Sequence, residues 1–475
     1  MKSVNLNGKI DSFIEKLVTF IVMTSYNNLS EDLIYLCKQA IVDTMGVSLA
    51  GWKEPAVQKA INVYASSQTG EASLWGQAQH VEVEKAAIIN GTASHVLDYD
   101  DASAGIIIHP SAPILAAILP VAEELNASGK DVINAYAIGT EVMVRVGEVM
   151  GINHYNLGWH ATDTLGTIGA VAACASLKQL SKAECAHALA IGASMAGGLQ
   201  KNFGSMTKPL HVGLAAAHGI EATKLAAEGF TGNPEIFGSR GFFLAFGGLD
   251  VTEEQIADIQ FGQPFDLLTG LSVKKFPCCF ATHRFIHGAL RLKEEHNLKI
   301  ENIQKIVLRA QPRSLLPLVH SRPKTGLQGK FSAEYTVLAA ILDGYVNLSS
   351  FEDCKVQRAI IQELLPKVTV LPLEETETEK ENQSKRRLPV HLQIEEKETY
   401  EMIVQYAPGE VELPLSAQEH REKWVSCLQH FVQSNDDTIT DRVHQLYDQG
   451  LDIEKYGFKE WMQGIHQLAL STQSV

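Results

Sequence analysis

From about Ile10 to Gly262 the hydrophobic positions recur at helical spacing, one apolar stripe after another. Leu33, Leu36, Cys37, Ala40, Ile41, Thr44 and Met45 form one such stripe, and 131–150 and 182–196 form others. The runs 164–177 and 212–227 are apolar almost all round and rich in Ala and Gly, a pattern that predicts central, closely packed helices. The pattern changes after Gly270. Residues 303–309 alternate, 368–371 are short and β-branched, and 390–394 with 400–404 read as a hairpin. Helical stretches are predicted between them at 278–295, 331–342 and 351–365, and the charged run 374–387 reads as an exposed loop. From Ser416 the chain is helical again, with Trp424, Leu428, Phe431 and Val432 on one face.

These patterns predict a mainly α fold: a large helical domain, an inserted smaller α+β domain, and C-terminal helices that return to the first. The expected bounds are 1–270, 271–412 and 413–475. A pocket between the two domains is the expected site.

The chemistry gathers at predicted helix starts. The run 96–111 carries Asp98, Asp100 and Asp101 and ends in His109-Pro110, where proline suits a first helical turn. Lys208-Pro209-Leu210-His211 precedes a second such helix, Lys274-Lys275-Phe276-Pro277 a third, and His160 opens a fourth. Convergence of these starts would surround one pocket with helix-dipole ends, ammoniums and imidazoles, suited to a small polycarboxylate. His109 is the first choice for acid or base and His160 the second. Lys208 and Lys274 are expected to bind carboxylates, with His211 and Lys275 as weaker candidates. Asp98 is expected to orient a histidine or share its proton. Asp100 and Asp101 are turn caps or, in an alternative reading, part of a Mg²⁺ site for a diphosphate, which lacks the second acidic cluster it requires. Cys279 is a candidate thiol at a positive helix start, or a packing residue. Gly197-Gly198 and Phe246-Gly247-Gly248 lack nucleotide-loop spacing and are assigned to turns and close helix contacts.

Composition narrows the class. Of 475 residues, 45% are hydrophobic; the net charge is −15 and the pI near 5.6. Nucleic acid and anionic membranes are therefore not expected partners, and an anion site must be a local positive island. Seven scattered cysteines without a C-x-x-C pair point to reduced thiols and a cytoplasmic location. Asp11, Glu15 and Lys16 interrupt a signal-peptide core, and no uncharged apolar run reaches about 20 residues.

The ordered set Asn90 to His95, Asp98 to Asp101, His109-Pro110-Ser111, Gly158-Trp159-His160, Lys208 to Gly213, Lys274 to Cys279 with His283, and Arg322 to Ser332 resembles the MmgE/PrpD family. That family includes 2-methylcitrate dehydratase, cis-aconitate decarboxylase and iminodisuccinate epimerase. The resemblance implies that the smaller domain is a lid, that the protein is a homodimer, and that it works without metal or organic cofactor. By similarity to the decarboxylase, Asp98, His109, His160, Lys208 and Lys274 match active-site positions. Ala102 stands where the decarboxylase has Thr, and Cys279 where it has a lid histidine. The function implied is a lyase that dehydrates or decarboxylates a small di- or tricarboxylic acid. The alternatives are an epimerase of an iminodisuccinate-like dicarboxylate and a non-catalytic polycarboxylate-binding homologue.

Overall fold

The computed structural model describes residues 7–66, 70–103, 106–374, 388–433 and 437–473. The expected charged loop at 374–387 lies, apart from Glu374, outside the described residues, as do Ala104 and Gly105. The chain is mostly helical with small sheets and divides into two compact units. The first comprises 1–201, 206–271 and 416–475; the second comprises 202–205 and 272–415.

The first unit begins with α1 (Asn7–Met23), α2 (Glu31–Ala50), α3 (Pro55–Tyr64) and α4 (Val83–Val96). It continues with α5 (Ser111–Leu125), α6 (Gly129–Asn156), α7 (Ala161–Leu177), α8 (Lys182–Met195) and α9 (Thr207–Ala227). Several begin where a side chain can take up an orphan backbone donor: Ser30 caps α2, and Ser128 with Asp131 and Ser181 with Glu184 form capping boxes on α6 and α8.

The two Ala/Gly-rich runs are α7 and α9, both buried along most of their length. Small residues let backbones approach closely. A Cβ on Gly91 of α4 would stand 2.7 Å from the Gly213 Cα of α9, and one on Gly213 would collide with the Ile88 carbonyl. Only glycine fits this crossing, which brings the end of α4 to the start of α9.

Helix Ala417–Val432 packs on α2 through buried Trp424, Cys427, Leu428 and Phe431, with Trp424 against Gly46. By length and composition α2 could cross a bilayer, but 72% of its apolar window is buried inside the protein. It also carries Asp43, paired with buried Lys423 at 2.8 Å, as a core helix can.

The second unit holds a four-stranded sheet. Lys305–Ala310 runs parallel to Val368–Pro372 and antiparallel to Val390–Glu395, which pairs with Thr399–Val404 as the expected hairpin, Leu392 opposite Met402. Helices His283–His296 and Ala333–Asp343 share a core with it, built on Phe285, Ile306, Leu308, Leu338 and Leu392. Two expected helices differ. Residues 351–365 form short separate helices, Asp353–Val356 and Ala359–Leu364, rather than one helix; the break falls at Arg358, which leaves helical angles and holds Asp343 through both guanidinium nitrogens at 2.6 and 2.8 Å. The helix expected from Cys278 begins at His283. Before it, the Lys330 ammonium donates to the Pro277 carbonyl at 2.7 Å and Cys279 N–H donates to the Lys330 carbonyl at 2.9 Å. Those bonds tie 277–279 to another segment and keep the chain out of a helix.

Candidate active site

At the end of α4 the chain turns on Asp98, whose φ of 51° lies in the left-handed region that asparagine and aspartate tolerate better than most side chains. The next residues fan out to separate elements. Asp98 accepts a hydrogen bond from Lys208 Nζ at 2.6 Å, and Asp100 lies 2.7 Å from His95 Nδ1 on α4. Asp101 accepts from the Ser111 N–H at 3.2 Å and from the Ser111 hydroxyl at the start of α5.

His109 closes this loop. Its Nδ1 is 2.8 Å from the Asp101 carbonyl, and a carbonyl can only accept, so Nδ1 carries the proton. That makes Nε2 the acceptor nitrogen of the neutral ring. Nε2 lies 4.0 Å from Asp98, and Nδ1 lies 3.5 Å from Asp100. The His109 ring is 14% exposed, against 6% for Lys208 and 4% for Asp98, and is the most accessible of the three.

The His109 N–H donates to Thr162 Oγ1 at 3.2 Å, in the first turn of α7. His160 is the N-cap residue of α7, and its Nδ1 is 3.1 Å from Nδ1 of His211 in the first turn of α9. The starts of α5, α7 and α9 therefore meet the end of α4, with their dipole ends around one cluster. In α9 the helix begins at Thr207, so Lys208 lies within the first turn rather than ahead of it.

Burial keeps the surrounding imidazoles neutral. It pushes His160 well below the usual histidine range, helped by the Lys208 ammonium and the neighbouring rings. It lowers His95 and takes His211 down to about 4. The Lys208 ammonium is paired with Asp98 at 2.6 Å.

His95, Asp98, Asp100 and His109 offer ligand atoms within 4.8 Å of one another, a set that could hold a divalent cation. The Lys208 ammonium already places a positive charge beside Asp98 at that point.

Lys274, Lys275 and Cys279 belong to the second unit. Lys274 is fully buried, and Cys279 caps the short turn Phe280–Thr282. Neither lysine stands at a proline-started helix. His283 is buried between the rings of Phe276 and Phe280, at 5.2 and 5.1 Å.

Two contributors escaped the sequence reading as site residues: His95 and Thr162. His95 ends the Asn90–His95 motif, and that place was its one signal in the sequence. Asp163, in the first turn of α7, is buried beneath Gly198; its Oδ1 has no hydrogen-bond partner, and burial lifts its carboxyl to about 8.

Fold and site together define a mostly helical protein that gathers histidines, carboxylates and a lysine where helix starts meet. The family model for the MmgE/PrpD N-terminal domain matches residues 15–254, and that for the MmgE/PrpD C-terminal domain matches 276–449. The chain belongs to the MmgE/PrpD family. It is 30% identical to cis-aconitate decarboxylase of Homo sapiens, over 76% of this chain and 76% of that protein. It is 29% identical to the Mus musculus cis-aconitate decarboxylase (76% and 75% covered) and 23% identical to that of Aspergillus terreus strain NIH 2624 (72% and 75%).

Proposed function

We propose that the protein is a lyase that decarboxylates a small unsaturated tricarboxylic acid of the cis-aconitate type. The observation that supports it most is the fixed tautomer of His109, which aims one proton-transferring nitrogen at the region of Asp98 and Lys208. The cis-aconitate decarboxylase names of the relatives point the same way.

In this reading a C–C bond to one carboxylate breaks and CO₂ leaves. The freed electron pair forms a new double bond, and the old double-bond pair moves to the carbon beside another carboxylate. That carbon takes a proton from His109 Nε2. Since Nδ1 already holds a proton, the donating ring is an imidazolium, with Asp100 at 3.5 Å and Asp98 at 4.0 Å to balance its charge. Lys208 and the helix starts stabilise the charge that builds on the remaining carboxylates, and His160 with His211 binds a substrate oxygen. In the same proposal the second unit is a lid and its Lys274, Lys275 and Cys279 contribute to substrate binding, on the strength of the resemblance alone. The protein would act as a cytoplasmic homodimer.

The test is incubation with cis-aconitate, citrate, 2-methylcitrate and iminodisuccinate in deuterated water, followed by NMR. CO₂ release with one deuterium in the product is the expected result. Dehydration of 2-methylcitrate, or exchange at iminodisuccinate without CO₂, would replace it with the dehydratase or the epimerase; binding without turnover or exchange would mark a non-catalytic homologue.

A further inference from the structure

The loop 98–101 is held by four elements, and the fourth hold comes from far along the chain. Asp98, Asp100 and Asp101 are each held through their side chains, by Lys208, His95 and Ser111. Tyr99 is held by its backbone: its carbonyl accepts a hydrogen bond at 3.0 Å from Nζ of Lys423, which lies 324 positions further along on helix Ala417–Val432. The same ammonium stands 4.2 Å from the centre of the Tyr99 ring and 2.8 Å from each carboxylate oxygen of Asp43 on α2. His420 Nε2 approaches that carboxylate at 4.0 Å, and burial lowers the His420 pKa, which leaves Lys423 as the cation facing Asp43.

We infer that Lys423 is a positioning residue of the candidate active site, setting the Asp98 and Asp100 carboxylates through the Tyr99 carbonyl that lies between them. An ammonium needed only to balance Asp43 would not have to reach into the loop. A left-handed aspartate persists only where its surroundings over-determine it, and Lys423 takes hold of the Tyr99 carbonyl, one residue beyond Asp98. Released there, the loop relaxes toward ordinary backbone angles, and the Asp98 carboxylate swings away from Lys208.

The test compares Lys423→Met with the double variant Asp43→Asn/Lys423→Met. The single variant leaves a buried carboxylate unpaired and loses thermal stability; the double variant removes both charges, so its melting temperature recovers toward wild type. If Lys423 positions the loop, the double variant still shows kcat at least tenfold below wild type, with KM changed less than threefold. The ¹⁵N imidazole signals of His95 and His109, assigned by His→Gln variants, shift in the double variant. Recovery of kcat together with stability, or unmoved imidazole signals, overturns the inference. The catalytic readout rests on the proposed function. Should the wild type turn over no polycarboxylate, that function fails by itself, and the imidazole signals decide the role of Lys423.

Discussion

Nδ1 of His160 lies 3.1 Å from Nδ1 of His211, and two nitrogens this close share one proton, the donor ring fixing the tautomer of the other. Both rings are neutral at pH 7, since burial depresses both pKa values. Replacing His211 with Leu frees the His160 ring to change tautomer. We expect kcat to fall by about 10²-fold, the lower end for a positioned acid–base group, and the ¹⁵N spectrum of His160 to lose its single-tautomer signature. An unchanged spectrum would separate the pair.

His109→Gln removes the proton-transferring nitrogen and keeps a polar side chain near the Asp101 carbonyl. We expect at least a 10²-fold loss of kcat and no deuterium incorporation from solvent. Retained incorporation in this variant would take His109 out of the mechanism.

Lys208→Met strands the Asp98 carboxylate, 4% exposed, without its cation. Breaking a buried pair in this way costs about 3–5 kcal/mol. Denaturant unfolding should show that loss, and Asp98→Asn in the same chain should restore most of the stability but not the activity. Equal stability of wild type and Lys208→Met would deny the pair any structural weight.

Asp163 predicts a pH dependence of stability. Its folded pKa of about 8 lies above the ordinary carboxyl value of 3.8, so the folded state holds the proton that the unfolded chain gives up. Its contribution is complete below about pH 4, declines as pH rises, and is gone above about pH 8, at up to about 1.4 kcal/mol per unit. Asp163→Asn should therefore gain on wild type steadily between pH 5 and 8, as measured by melting temperature. Parallel curves for the two proteins would show the carboxyl to be ionised throughout.

How much of this was legible in the sequence follows from the range of each interaction. The helices, the hairpin and the His-Pro start of α5 are local patterns, set by periodicity and backbone chemistry, and they could be read directly. The meeting of His109, His160, Lys208 and His211 was a condition of the reading rather than a result of it, because repeated helix starts mark helix ends without giving a partner. Pairs such as Lys208 with Asp98, 110 residues apart, or Lys423 with Tyr99 have no signature in spacing. The 278–295 helix was misread because a single lysine, Lys330, decides where it starts, from outside the segment.

The glycine crossing between α4 and α9 makes those two helices a single stiff jaw. His95 rides on one arm and Lys208 and His211 on the other, so a bulkier residue at 91 or 213 would shift every one of them at once. Substitution at this crossing would therefore move the imidazoles and the ammonium as a set rather than one at a time.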